Sequence, residues 1–203
     1  MPFVALAGCV DAIGWLRFDQ LFVSFISGTS TMLGIAAAAE PCRARGGAGD
    51  RHRPVRRGRP AGAVVGALAG RWRGPAVLCL VAALLTAALL APATGGRALP
   101  PAAWAMVPAM GMLNTALPGV GGITFVTGAM SRAMEGLVQA LLGRAKHAAW
   151  AQQAACWAAM ASGALLGAVL QDAWGDVALA VPATGALLGA LVLGERTVVA
   201  AAA

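Results

Sequence analysis

Apolar residues fall into seven long runs, at 3–16, 21–39, 75–93, 101–117, 122–143, 147–170 and 177–194, divided by short breaks rich in glycine, proline or charge. Most runs approach the ~20 residues a helix needs to cross a bilayer core. None shows the period-two alternation of a barrel strand, and in lipid only helices and closed barrels satisfy their backbone polar groups. The pattern predicts an all-α, polytopic membrane bundle of about six to eight helical segments. The first run spans comfortably only if it continues through Arg17–Gln20 into the second. The fifth contains Arg132 and Glu135, so it is expected to turn that face to the bundle interior. The two charges are three residues apart on one helix face and can pair there; a structural ion pair near the interface is the alternative.

Small residues recur within the runs. Gly62, Gly66 and Gly70 are spaced by four, as are Gly163 with Gly167 and Gly185 with Gly189. Such spacing lets helix backbones approach closely. It serves either association of two copies or packing within one chain. Trp72, Trp104, Trp150 and Trp174 stand near run ends, where interfacial aromatics collect. His147, beside Lys146 and ahead of Gln152 and Gln153, reads as an interfacial residue rather than a proton relay.

Composition sharpens the solvent. Apolar residues make up 59% of the 203 and charged residues 11%, against about 25% charged in soluble domains. So few charges cannot cover a globular surface, and the lipid bilayer is the expected partner. The net charge of +7 is local: seven of the fifteen basic residues lie between Arg43 and Arg59. Basic loops on membrane proteins are ordinarily topology signals, and no aromatic or basic pattern supports nucleic-acid binding. Cys9, Cys42, Cys79 and Cys156 are widely spaced, with no zinc or disulfide framework. The start of the chain has no basic region ahead of its apolar run, so that run is expected to act as an uncleaved insertion signal. No metalloprotease, nucleophile-elbow or phosphate-loop motif occurs, so neither enzyme activity nor a cofactor is expected.

Two polar motifs match about a hundred residues apart. Val23-Ser24-Phe25-Ile26-Ser27-Gly28 reads against Ile123-Thr124-Phe125-Val126-Thr127-Gly128. Upstream, Gly8-Cys9-Val10-Asp11-Ala12 reads against Gly111-Met112-Leu113-Asn114-Thr115. The match predicts a single membrane domain over 1–203, built from related halves at about 1–97 and 98–203. Paired, glycine-interrupted polar motifs in apolar segments point to a transporter-like site between repeats. Asp11 is the most informative residue, because a carboxylate inside an apolar span is a candidate for proton or cation binding. Its alternative is a buried hydrogen-bond anchor. Ser24, Ser27 and Gly28 join it in the first half; Asn114, Thr124, Thr127, Gly128, Arg132 and Glu135 form the second. The hydroxyls could coordinate a small polar solute or ion, or satisfy backbone carbonyls and pack helices.

Over Ala7–Ala38, AGCVDAIGWLRFDQLFVSFISGTSTMLGIAAA, the chain resembles the YoaK-type family of bacterial membrane proteins, a domain-of-unknown-function family. Its pattern has an AGxVDAxGFL segment, then FVSxMTGN, and later GxQNA and TxVTGxxxxxG segments. The later segments correspond to Gly111–Ala116 and Thr124–Gly136. The resemblance extends over nearly the whole chain except about 40–60. It implies a multi-span bacterial inner-membrane protein and no known substrate. Thr29 stands where the family has Asn, and Leu113 where it has Gln, so a site using those carboxamides lacks them here.

The stretch 40–60, EPCRARGGAGDRHRPVRRGRP, interrupts the pattern. Arginine at a helix centre costs about 2.5–3.5 kcal/mol on insertion scales, so 43–59 does not enter the bilayer and is expected to be cytoplasmic. The run 61–70 that follows is about half a span, expected to be re-entrant, interfacial or merged with 75–93. A second reading is a transmembrane helix displaced by compensating frameshifts. In GC-rich codons a one-base shift turns Asp-Arg and His-Arg into Ile or Thr. The same shift opens Val-Arg to Phe and Ala-Gly to Leu, and the shifted frame would join 61–70 into a full helix. Genomic reads across codons 40 to 62 decide between the two. The functional expectation is a secondary transporter or permease-like protein for a small solute or ion. A non-transporting scaffold or assembly protein and a damaged gene product are the alternatives, and a homo-oligomer through small-residue faces is a further expected partner.

Overall fold

The structure is a computed structural model that describes residues 1–18, 23, 69–92, 100–114 and 126–202. Among the described residues, six α-helices follow one another: α1 (Pro2–Arg17), α2 (Arg73–Leu90), α3 (Pro101–Leu113), α4 (Val126–Leu141), α5 (His147–Trp174) and α6 (Ala180–Ala202). Short 3-10 turns at Gly70–Trp72 and Gly175–Leu179 precede α2 and α6. No strand occurs among the described residues. Two stretches are long and apolar enough to cross a membrane, Gly70–Leu90 and Trp150–Ala200, the latter holding both α5 and α6. The apolar run 21–39 and the stretch 40–60 lie outside the described residues, apart from Val23, so the bundle of six to eight segments is present here only in part.

Each helix coincides with an apolar run of the sequence, and local chemistry sets the ends. The first run spans comfortably only if its helix continues past Arg17, and α1 does not. The helix stops at Arg17, with Phe18 at φ −123° and its N–H on the Gly14 carbonyl. By Val23 the chain has reversed, because the Val23 N–H reaches Asp11, 12 residues back. α5 ends at Gly175, whose φ of 56° lies in the left-handed region that favours glycine. The Gly175 N–H closes the helix on the Gln171 carbonyl, and the chain turns into α6. Gly70 also has a positive φ, 51°; the run 61–68 before it lies outside the described residues.

α1 lies against α5, α2 against α6 and α3, and α4 against α5. A side chain on Gly163 would collide with the backbone of Ala5, one on Gly167 with that of Cys9, and one on Gly8 with Met160 and Ala164. α1 and α5 therefore run parallel, backbone against backbone, through three glycines. α6 runs antiparallel to both: Gly189 faces the Phe3 ring and Gly185 faces Leu6. The GxxxG spacing of α5 is thus used within one chain, as is Gly189 of the α6 spacing. The shared core is made largely of small and branched side chains, including Ala7, Val10, Ile13, Val77, Val81, Leu85, Met106, Ala186 and Ala190.

The outer faces are apolar as well. Leu165, Leu166 and Val169 on α5 and Leu187, Leu188 and Leu191 on α6 are exposed. A water-soluble monomer rarely leaves so continuous an apolar surface uncovered. At 1.5 Å per residue α1 and α2 are about 24 and 27 Å long, close to the ~30 Å bilayer core. α5, at about 42 Å, overshoots that thickness. Its first turns project beyond the start of α1, and α4 docks on this projection with Gly136 against Trp150.

Candidate functional site

Asp11 is the one charged or polar residue buried as a whole among the described residues, 6% exposed. Its Oδ1 accepts the Val23 N–H at 3.1 Å. Gly14, one turn on, makes this approach possible, since a Cβ there would lie 2.9 and 3.1 Å from the two Val23 methyls. The methyl of Met106 on α3 lies 3.6 Å from the same point. The spacing of Gly8, Asp11 and Gly14 therefore has a physical reading. Gly8 admits α5, Asp11 holds the returning chain by its backbone, and Gly14 admits the Val23 side chain.

The second half is arranged differently. Asn114 is the C-terminal cap of α3, and its Nδ2 donates to the Met110 carbonyl of its own helix at 3.1 Å. Gly128 lies under the guanidinium of Arg132, whose Nη1 is 3.1 Å from where a Cβ would stand. Arg132 Nε donates to Gln153 Oε1 on α5 at 3.2 Å. From the sequence, Arg132 and Glu135 are expected to face the bundle interior, where they can pair. Both are exposed, and no ion pair joins them among the described contacts. The reason lies in the stripe of α4 that meets α5: Ala129, Ala133 and Ala140 are buried and Gly136 packs on Trp150, which leaves Arg132 at the edge of the contact, on Gln153, and both charges exposed. Ser24, Ser27, Gly28 and Thr124 lie outside the described residues. For Thr127 only the helical backbone is described.

α1 meets α3 at Gly14 and Met106, which places Asp11 and Asn114 on neighbouring helices. α4 packs on α5 alone among the described helices, so Gly128, Arg132 and Glu135 stand apart from them. The hydroxyls of Thr86, Thr184 and Thr197 serve their own backbones, bonding carbonyls four residues back. The Trp150 indole donates to His147 Nδ1 at 3.0 Å on the exposed start of α5. This agrees with an interfacial role for that histidine.

A second polar node was not expected as a site. The Arg17 side chain is 2% exposed at the end of α1, and its Nε lies 3.0 Å from Asp176 Oδ1. The approach is off-line, leaving a close ion pair rather than a hydrogen bond at Nε. The Arg17 Nη atoms reach the Ala88 and Ala91 carbonyls at 3.5 Å, where α2 ends. A cation suits the negative end of a helix dipole. Arg17 thus ties the ends of α1 and α2 to the turn between α5 and α6. The signal in the sequence was the polar break after the first apolar run. Replacing Asp176 by alanine is expected to lower the melting temperature by about 2–4 °C, the scale of about 1 kcal/mol for a pair whose carboxylate is 63% exposed. Replacing Arg17 by methionine should cost less, because it removes the buried charge instead of stranding it. Melting curves of the two variants in detergent check the order; an equal or larger loss for the methionine variant would count against it.

A family model described as "Protein of unknown function (DUF1275)" matches residues 2–193. A UPF0700 transmembrane protein of Rhizobium meliloti (strain 1021) is 35% identical over 187 residues, covering 90% of this chain and 79% of that protein. No solved structure matches significantly.

Proposed function

Because the chain belongs to the DUF1275 family of proteins of unknown function, with a relative named as a transmembrane protein, we propose that it is a multi-pass inner-membrane carrier of a small polar solute or ion. It is of the YoaK type that its motifs resemble, with Asp11 as the binding group. The observation carrying this reading is the placement of Asp11, a carboxylate 6% exposed within an otherwise apolar helical core. Such a group is expensive in lipid and is retained where it serves a solute, a proton or a partner. The matched motif contributes Asn114, on the helix beside α1, as the second polar group of a two-repeat carrier, while Gly128 stands apart on α4. Arg71, Arg73 and Arg196 collect at the end of the bundle opposite Arg17 and Asp176. That asymmetry supports a cytoplasmic location for this end.

The test is flux in proteoliposomes across a panel of amino acids, organic acids and monovalent cations. The expected result is uptake of at least one solute by the native chain and its loss on Asp11→Asn, with the melting temperature unchanged. A folded, reconstituted protein that moves none of them would overturn the reading. One observation favours a second reading, a non-transporting scaffold or assembly protein: Asp11 already holds the Val23 N–H and so has a structural use. Under that reading Asp11→Asn is silent, and a stoichiometric protein partner is recovered from mild detergent without flux.

A further inference from the structure

We propose that the groove between α1, α5 and α6 binds one acyl chain of an anionic phospholipid, with the headgroup phosphate held by Arg196. The groove encloses about 510 Å³, within the range of small-molecule sites, ~300–1,000 Å³. Its walls are apolar, formed by Leu6 of α1, Gly163 and Leu166 of α5, and Gly185 and Gly189 of α6. Arg196 is the one charged residue among those lining it.

The glycines explain why the groove exists. They let α1 lie close to α5 and α6, and at Gly185 the missing side chain is not replaced by a neighbour. A Cβ there would meet only Leu6 Cδ1, at 3.5 Å. Along α6 the groove runs from Val181 to Arg196, about 22 Å at 1.5 Å per residue and so most of a ~30 Å bilayer core. The slot is long and partly open along its side, and no side chain fills it at Gly185. A single file of methylenes at carbon contact distances of ~3.5–4.0 Å fits.

Charge selects the headgroup. Arg196 is exposed and forms no ion pair among the described residues. It stands at the same end of the bundle as Arg71 and Arg73, because Gly194 packs beside Trp72. A fixed cation where an apolar slot reaches the interface favours an anionic amphiphile whose chain follows the slot. The site is independent of whether Asp11 carries a solute.

The full-length protein is purified in mild detergent and exposed to equimolar phosphatidylglycerol and phosphatidylcholine with identical acyl chains. Retained lipid is counted by native mass spectrometry. One phosphatidylglycerol per chain is expected, preferred about five-fold, the scale of one basic residue against an anionic lipid. Arg196→Gln should bring the two lipids to parity, and Gly185→Leu, which fills the slot without touching backbone, should abolish retention of both. Glycerol phosphate without acyl chains should not compete. Equal retention of both lipids by the native protein, an undiminished preference in Arg196→Gln, or full retention by a monodisperse Gly185→Leu protein would each overturn the proposal. Arg196 is exposed and outside the core, so its variant remains a fair test if Gly185→Leu fails to fold.

Discussion

Valine at Gly163 or Gly167 is expected to eliminate the folded protein. Around a Cβ at Gly163 the Ala5 carbonyl carbon and Cα lie at 2.6 and 2.7 Å; at Gly167, Cys9 Cα and carbonyl carbon lie at 2.8 and 3.0 Å. These are backbone atoms of a packed helix, and no rotamer change moves them aside. The two helices must separate along their whole contact, which opens the interface that α1 makes with the rest of the bundle. Overpacking that side chains can absorb costs about 1–3 kcal/mol; here the backbone must absorb it, against a total stability of about 5–15 kcal/mol for a typical folded chain. In lipid, close packing is the main attraction between helices, so little else compensates. Size-exclusion profiles of fluorescent fusions in detergent should show loss of the monodisperse peak for both variants. Gly185→Ala is the internal control. Its Cβ has ordinary contact space, and alanine gains about 1 kcal/mol of helix propensity over glycine. A native-like peak for Gly163→Val would show that the α1–α5 contact is not the one described.

Asp11 separates two roles by two substitutions. Leucine removes the acceptor and strands the Val23 N–H, whose residue is 2% exposed. An unpaired buried donor costs about 1–3 kcal/mol, or about 2–12 °C of melting temperature for a chain of this length. Asparagine keeps an acceptor oxygen at nearly the same position and removes only the charge. The expected pattern is a large loss of stability for Asp11→Leu and little or none for Asp11→Asn. Thermal melts of both variants, beside the flux measurement, then report the hydrogen bond and the charge separately. Equal destabilisation by the two would mean that the charge, not the acceptor, holds the returning chain.

The helices were legible because each fills an apolar run: α2, α3, α5 and α6 begin and end within a few residues of the runs that predict them, α6 excepted at its C-terminal end, where the helix continues past Arg196. The end of α1 was not legible, since nothing local distinguishes Phe18 as a stop from Phe18 as a link to the next run. The reversal is visible only through the bond from Val23 to Asp11. The glycine spacings announced close packing without naming the partner, because i, i+4 spacing carries no address. For Arg132 and Glu135 the sequence misled. Charges in a membrane segment are ordinarily turned inward, but α4 leans on the part of α5 that projects beyond α1, where charges need no burial. The role of Arg17 depended on the carbonyl ends of α2, more than 70 residues away, and no spacing rule could find it.

The parallel contact of α1 with α5 joins residues that are made far apart in time. Ala5 and Gly163 are separated by 158 positions, and ribosomes add about 5–20 residues per second. The first helix is therefore made about 8–30 s before the part of α5 that meets Ala5, Gly8 and Cys9 is synthesised. During that interval its glycine-bearing face is open to any other small-residue helix nearby. Quality control in the membrane meets this protein first as an unpaired α1, and a lesion that stops synthesis before α5 leaves that helix permanently orphaned.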